Sequence, residues 1–244
     1  MTTRRQFVAG SAGSILACAF PRLARADTKN FPYSELEQCI AREDLWDITK
    51  DVLPTPCMVV DIDLFEKNLS TMVDYAKAAP IHLRPHVKVH KSVDIARRQV
   101  ALGAIGVTTA TIAESELMSA AGIKGVLWTK QPGSRNNIAR AIALTKRDPA
   151  FMFVVDDPVV ADWVEQAAAA AAKVRCRIAV AVFAGMTRQG IENGQPAVDL
   201  ARRVFASKHL QLEGFMAYSG AASHTKGWLA RRKRSAMDLA GVQE

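Results

Sequence analysis

A cluster of basic side chains at residues 81–91, IHLRPHVKVHK, has the clearest capacity for chemistry in this chain. In an extended segment alternate side chains point to opposite faces, so Leu83, Val87 and Val89 would share an apolar face. The opposite face would carry Arg84, His86, Lys88 and His90. Because buried charges need partners, this pattern predicts a strand with a site for an anionic ligand. A solvated basic face on an exposed edge strand is the alternative interpretation.

A helical metal site is a second interpretation of the same segment. His82, His86 and His90 are spaced four residues apart and would stack on one face of a helix. Pro85 argues against that helix, because proline lacks an amide donor and pushes the preceding residue, Arg84, toward extended geometry. The strand is therefore favoured, and no metal ligand is predicted among these histidines.

The wording RPHVKVHK, together with TPCMVVDIDLFEKNL at residues 55–69, resembles the D-threonine aldolase and D-serine dehydratase-like family of pyridoxal-phosphate enzymes. These are fold type III enzymes, which share their barrel with the alanine racemase N-terminal domain. In the family motif RPHxKTHK the first lysine carries the cofactor as a Schiff base, which implies that role for Lys88. Val89 replaces the usual threonine of that motif.

An amine must lose its proton before it can form a Schiff base, and neighbouring cations with partial burial favour that loss. Arg84, His86 and His90 are therefore expected to assist Lys88. His86 is also predicted to contact the cofactor.

Two later segments extend the resemblance. FAGMTRQG, at residues 183–190, is similar to the family segment DxGxxRxG, whose arginine contacts the phenolic oxygen of the cofactor, which implies that role for Arg188. GFMAYSG, at residues 214–220, is similar to the AYHG segment, whose tyrosine lies beside the cofactor ring, which implies a site for Tyr218. Phe183 replaces the usual acid of the first segment, and Ser219 replaces the histidine of the second.

Another match to the family is Glu114, which opens a predicted helix. An acid in a first helical turn is already favoured by the helix dipole. Glu114 is therefore left out of the predicted site.

Composition excludes several classes of protein. With 244 residues and 49% hydrophobic content, the chain can bury one large core. Its net charge of +8 is concentrated partly at the two ends, aromatic content is 7%, and no nucleic-acid motif is present, so no nucleic-acid partner is predicted. Four scattered cysteines form neither a zinc nor a disulfide pattern, and Cys57 and Cys176 are predicted to be small buried hydrophobes.

Residues 1–26 resemble an export signal. Arg4 and Arg5 precede an apolar run at 7–20 that is too short to span a bilayer, and Ala24-Arg25-Ala26 supplies a cleavage site. The sequence therefore predicts twin-arginine export to the periplasm, a route that carries folded proteins already loaded with cofactor. Lipidation at Cys18 is an alternative.

Residues 27–52 are interpreted as an N-terminal extension with one helix at 34–42, capped by Ser34. From residue 53 to 244 strands and helices alternate. Strands are predicted at 57–61, around Lys88, and at 106–111, 125–130, 151–155, 175–183 and 212–218. Helices are predicted at 64–78, 93–102, 113–121, 135–145, 197–206 and 228–242, with the alanine run 167–172 inside another.

This alternation predicts parallel βα units, about six of them, and an incomplete (β/α)8 barrel. A doubly wound sheet would also fit the alternation, but the chain has no GxGxxG after a strand. The preference for the barrel depends mainly on the resemblance.

The resemblance implies a lyase that acts on D-β-hydroxy amino acids by aldol cleavage or dehydration. A racemase and a non-catalytic cofactor-binding protein are the alternatives. In the family the phosphate loop and the divalent-metal ligands lie beyond the point matching Glu244. The chain is therefore expected to be truncated, to expose two sheet edges and to bind the cofactor poorly. Its expected partners are a small D-amino acid and a second copy of itself.

Overall fold

The computed structural model describes residues 33–42, 44 and 48–242, so the predicted export signal lies outside the described residues. The chain divides into two compact units, Met1–Asp61 and Ile62–Glu244. Among the described helices, none combines the length and apolar character needed to cross a bilayer.

The described part of the first unit contains helix α1, Tyr33–Ala41, and a short 3-10 helix, Lys50–Val52. Ser34 lies inside α1, so its prediction as the helix cap is wrong. The strand predicted at 57–61 is also wrong: the segment is irregular, and Met58 and Val59 are 84% and 68% exposed. Strand propensity has an effect only where a neighbouring ladder and core accept the side chains. Cys57 is exposed for the same reason.

The second unit alternates helices and strands close to the predicted positions. The helices are α2 (Ile62–Ala78), α3 (Val93–Ala101), α4 (Ile112–Ala120), α5 (Arg135–Arg147), α6 (Pro158–Ala170), α7 (Gln195–Ala206), α8 (Gly220–Ser223) and α9 (Trp228–Leu239). The strands are β1 (Thr108–Thr109), β2 (Leu127–Trp128), β3 (Met152–Val155), β4 (Cys176–Val182) and β5 (Leu210–Ala217). Side-chain caps at Ser92, Thr111, Ser134 and Asp157 accept first-turn amides and fix where four helices begin.

All five strands are parallel, and their order in the sheet follows their order in the chain, β1-β2-β3-β4-β5. A doubly wound sheet reverses its strand order at a switch point, whereas a barrel adds each strand beside the last. The sequential order therefore confirms the predicted incomplete barrel topology. Active sites of such barrels lie at the carboxyl ends of the strands.

The two faces of the sheet bury different side chains. Phe153 and Ile178 belong to the large core beneath the helices, while Met152 and Ala179 belong to a small second cluster on the other face. Cys176 is fully buried in the large core, as predicted, and burial raises the pKa of its thiol to about 11. The second face is the interior that leads to the candidate site.

An irregularity in β5 changes which of its residues face inward. The pairing with β4 shifts register between Ile178 and Ala179, which pair with Leu212 and Gly214, so β5 holds one extra residue. Gly214 has a φ of 130°, which glycine adopts readily. Because the alternation is reset there, Met216 joins the interior cluster.

The segment around Lys88 is not the regular strand that was predicted. It runs beside β1 through Ile105 N to Leu83 O (2.9 Å) and Thr108 N to Pro85 O (2.7 Å), and a single bridge pairs His86 with Thr108. Pro85 has no amide to extend a ladder, and a 3-10 turn, Val87–Val89, follows at once. The predicted alternation therefore ends at His86: Val87 is fully buried, but Val89 is 79% exposed.

Candidate active site

A cavity of about 310 Å³ opens at the carboxyl ends of the strands and is lined by all four residues that the sequence nominated: Lys88, His86, Arg188 and Tyr218. They come from segments as much as 132 positions apart in the chain. The volume lies at the small end of the range for ligand sites, roughly 300 to 1,000 Å³. The fold therefore brings the predicted residues together at the expected edge of the sheet, while their chemical roles stay predictions.

Lys88 is presented by the 3-10 turn. His86 Nδ1 accepts a hydrogen bond from Lys88 N (3.3 Å), and the fully buried Val87 fixes the turn in the core. Lys88 itself is exposed, with its Nζ 5.7 Å from the centre of the Tyr218 ring. The expectation that Lys88 is partly buried is therefore wrong, and its ammonium lies within cation–π distance of Tyr218.

His86 is neutral at physiological pH. The pKa of its imidazole is lowered to about 4, mainly by burial and also by the nearby charges of Lys88 and Arg188, against the opposing charge of Glu114. Since Nδ1 accepts the Lys88 amide, the single proton of the neutral ring belongs on Nε2. His86 can therefore donate one hydrogen bond into the cavity.

Arg188 lies on a loop that crosses the carboxyl ends of β2 and β3 and is held there by two hydrogen bonds. Gln189 Nε2 donates to Thr129 O beyond β2 (3.2 Å), and Gly190 N donates to Asp156 Oδ2 beyond β3 (2.7 Å). The guanidinium carbon of Arg188 then lies 5.8 Å from the centre of the Tyr218 ring. Lys88 and Arg188 therefore both lie within cation–π distance of one aromatic ring.

The segment after Tyr218 is held by helix α9. Ser219 Oγ donates to Asp238 Oδ2 (2.6 Å), and Arg234 Nε donates to Asp238 Oδ1 (2.8 Å). The same carboxylate packs against Gly185, where a β-carbon would collide with it. Asp238 therefore links the loop that carries Arg188 to the segment that carries Tyr218, a contact that the sequence analysis did not anticipate.

Two cations predicted for the site lie elsewhere. Arg84 donates to Gly125 O at the opposite, amino end of the sheet, where burial and the neighbouring Arg177 lower its pKa. His90 Nδ1 accepts a hydrogen bond from Ser92 N (3.0 Å), and His90 does not line the cavity. The 3-10 turn at Val87–Val89 moves His90 off the predicted strand face, whereas Arg84 precedes the turn and lies toward the amino end of the sheet.

Lys130 and Glu114 are the neighbours of the site that the sequence analysis missed or left out. Lys130, half-buried, lines the cavity two residues beyond the end of β2. Glu114 Oε2 accepts a hydrogen bond from Ala110 N (2.8 Å), beside the cavity-lining Ala110, and its charge raises the pKa of His86. A position just past a barrel strand was the available signal for Lys130.

The cavity suits an anionic aldehyde cofactor such as pyridoxal phosphate. It offers a primary amine at Lys88, two further cations at Lys130 and Arg188, a neutral imidazole donor and an aromatic ring. By contrast, the described residues contain no cluster of three or more His, Cys, Asp or Glu side chains placed to hold a metal ion. His82 is exposed and lies away from this cavity.

Comparison with known proteins gives one family and several relatives. The model of the alanine racemase N-terminal domain matches residues 60–240. The chain is 34% identical to a 3-hydroxy-D-aspartate aldolase of Paracoccus denitrificans, over 79% of this chain and 50% of the relative. It is 36% identical to a D-threo-3-hydroxyaspartate dehydratase of Delftia sp., over 43% of this chain and 27% of the relative.

A solved structure, the D-threonine aldolase from Filomicrobium marinum, is also similar. It superposes with a TM-score of 0.76 at 34% identity, over 80% of this chain and 52% of that protein. The chain thus spans about half the length of the aldolases that it matches.

Proposed function

Because the chain belongs to the alanine racemase N-terminal domain family, we propose that it is a pyridoxal-phosphate-dependent lyase acting on D-β-hydroxy amino acids. The observation that carries the proposal is the convergence of Lys88, His86, Arg188 and Tyr218 on one cavity. The similarity to a hydroxyaspartate aldolase and to a D-threonine aldolase supports this substrate class.

Each of these residues has a role that its position supports. Lys88 Nζ is the amine that holds the cofactor, and Tyr218 provides a ring face beside it. His86 Nε2 donates a hydrogen bond without adding charge, and Arg188 neutralises an anionic oxygen. When bound, pyridoxal phosphate supplies an electron sink that weakens the bonds at the Cα of the amino acid.

The proposal is tested by fixing the cofactor to its lysine. Purified protein is incubated with pyridoxal phosphate, reduced with borohydride, digested and mapped by mass spectrometry. We expect the label on Lys88, with Lys91 in the same peptide unlabelled. A label confined to Lys91 or to another lysine would refute the assignment.

Aldol cleavage and dehydration are distinguished by their products. D-Threonine, D-serine and D-threo-3-hydroxyaspartate are each assayed with the protein, pyridoxal phosphate and an added divalent metal. Aldol cleavage releases glycine and an aldehyde, whereas dehydration releases ammonia and a keto acid. The substrate with the highest kcat/KM identifies the preferred side chain. Saturable cofactor titration in the same preparation tests the expectation that this chain binds pyridoxal phosphate poorly.

We also propose that the protein is exported to the periplasm by the twin-arginine route, on the strength of Arg4, Arg5 and the apolar run that follows them. Replacing both arginines by lysine should leave the uncleaved precursor in the cytoplasm. Processing of that variant as efficient as in the wild type would count against the route. We further propose that the protein forms a homodimer, and light scattering of the exported form measures its mass.

A further inference from the structure

A hydrogen bond joins the residue next to Arg188 to the residue next to Lys130. Gln189, next to Arg188, donates from Nε2 to the carbonyl of Thr129, next to Lys130 (3.2 Å). Both cations line the same cavity. The loop of residues 183–190 therefore adds a second positive side chain to the cavity that Lys130 lines.

Within residues 48–242, neither of these cations forms an ion pair, although several other arginines do. Arg140 donates two hydrogen bonds to Glu116, and Arg177 donates two to Glu213. Asp156 and Glu114 accept hydrogen bonds from the backbone amides of Gly190 and Ala110, and neither forms an ion pair with Lys130 or Arg188. Two cations that line one cavity and form no ion pair with a described residue raise the potential of that cavity and attract an anion.

We infer that Lys130 and Arg188 form a two-cation site that binds an oxyanion group of the ligand in this cavity. An arginine fork with a lysine beside it suits a carboxylate or a phosphate, since the fork gives paired donors and the ammonium adds a point charge. The oxyanion comes from a substrate carboxylate or from the cofactor phosphate. Since this inference rests on the proposed function for the identity of the ligand, its test includes an arm without cofactor chemistry.

The first arm compares Lys130→Met with Lys130→Arg and with Lys146→Met. Lys146 is an exposed lysine of α5, so Lys146→Met removes the same charge away from the cavity. Pyridoxal phosphate and pyridoxal are titrated into each protein and followed by absorbance. If Lys130 holds the phosphate, Lys130→Met weakens binding of pyridoxal phosphate about tenfold or more and leaves pyridoxal unchanged, whereas Lys130→Arg retains binding.

The second arm uses cofactor-loaded protein and two amino acids without a β-hydroxyl, D-aspartate and D-alanine. If Lys130 holds a side-chain carboxylate, Lys130→Met weakens D-aspartate binding about tenfold and spares D-alanine. Equal weakening of both amino acids assigns it to the α-carboxylate. Thermal melting of each variant confirms that it is folded.

The third arm asks whether the site binds an anion when no cofactor can attach. In Lys88→Ala protein, acetylation of Lys130 by acetic anhydride is followed by mass spectrometry with added phosphate or succinate. We expect either anion to slow acetylation at Lys130 severalfold, and Arg188→Met to abolish this protection. Failure of wild-type Lys88 to accept cofactor would refute the proposed function while leaving this arm informative. The inference is overturned if no anion protects Lys130 and Lys130→Met matches Lys146→Met in the titrations.

Discussion

The two ends of the sheet interior are both charged, but they handle charge in opposite ways. At the amino end, Arg177 and Glu213 form two hydrogen bonds of 2.8 and 2.9 Å, and Arg84 donates to Gly125 O beside them. At the carboxyl end, Lys88, Lys130 and Arg188 line a cavity and make no ion pair with any described residue. A charge that has its partner within the protein stabilises the fold, whereas a charge left open is available to a ligand.

The largest expected effect is on chemistry at the open end. Lys88→Ala should abolish the covalent cofactor adduct, because among the described lysines only Lys88 has its Nζ over the Tyr218 ring. It should change the free energy of unfolding by less than about 0.5 kcal/mol. Absorbance with pyridoxal phosphate and urea unfolding measure the two effects. The matched control, Lys91→Ala, should keep the adduct. An adduct that persists in Lys88→Ala would break the comparison at its open end.

At the closed end the expectation is reversed. Glu213→Gln removes the carboxylate that interacts with both Arg177 and Arg84, at a cost of about 2 kcal/mol in the free energy of unfolding. The adduct at Lys88 should still form. Glu66→Gln is the control, because it breaks the exposed pair with Arg98 and should cost much less than Glu213→Gln. Equal losses in the free energy of unfolding for Glu213→Gln and Glu66→Gln would show that the amino-end pair stabilises the fold no more than an exposed pair does.

A smaller effect is expected from the link that holds the open end in shape. Asp238→Ala removes the acceptor of Ser219 and Arg234 and frees both segments that flank the Tyr218 ring, so cofactor affinity should fall about fivefold, or about 1 kcal/mol. Asp199→Ala, which removes an exposed pair with Arg202, is the control. Unchanged cofactor affinity in Asp238→Ala, measured by titration, would contradict a positioning role.

The last expected effect concerns protons. Burial holds the pKa of His86 at about 4 in the folded protein, below the ordinary value of 6.5, so between these values the unfolded chain binds more protons. The neutral His86 therefore costs no stability above pH 6.5, and the free energy of unfolding decreases as the pH falls from 6.5 toward 4. His86→Asn should make the melting temperature fall less steeply over this window. Parallel curves for the two proteins would rule out this source of acid sensitivity.

Much of this arrangement could be predicted from the sequence. Apolar alternation and helix caps such as Ser92 and Asp157 gave the βα repeats, and the wording around Lys88 and Arg188 gave the residues that line the cavity. These features are local, so a single segment contains enough information to predict them.

What the sequence did not predict depends on contacts between distant segments. The 3-10 turn that separates Arg84 from Lys88 depends on a buried Val87 and on pairing that Pro85 cuts short. The link from Asp238 to Ser219 and Gly185 joins three segments with no shared motif. The loop of Gln189 crosses to Thr129, so that Arg188 and Lys130 line one cavity although they are far apart in the chain. Such contacts are tertiary, and they override what local pattern suggests.

The extra residue in β5 gives this strand two halves of opposite parity. Before it, the odd-numbered Glu213 faces the interior and meets Arg177; after it, the even-numbered Met216 does so, and Tyr218 follows in the same phase. The one extra residue beside Gly214 therefore lets both Glu213, at the charged end, and Tyr218, at the ligand-binding end, face the interior. Deleting this single residue would give an unbroken ladder but would turn Tyr218 toward the other face of the sheet, away from Lys88. The number of residues between Glu213 and Tyr218 therefore decides which face of β5 carries the tyrosine.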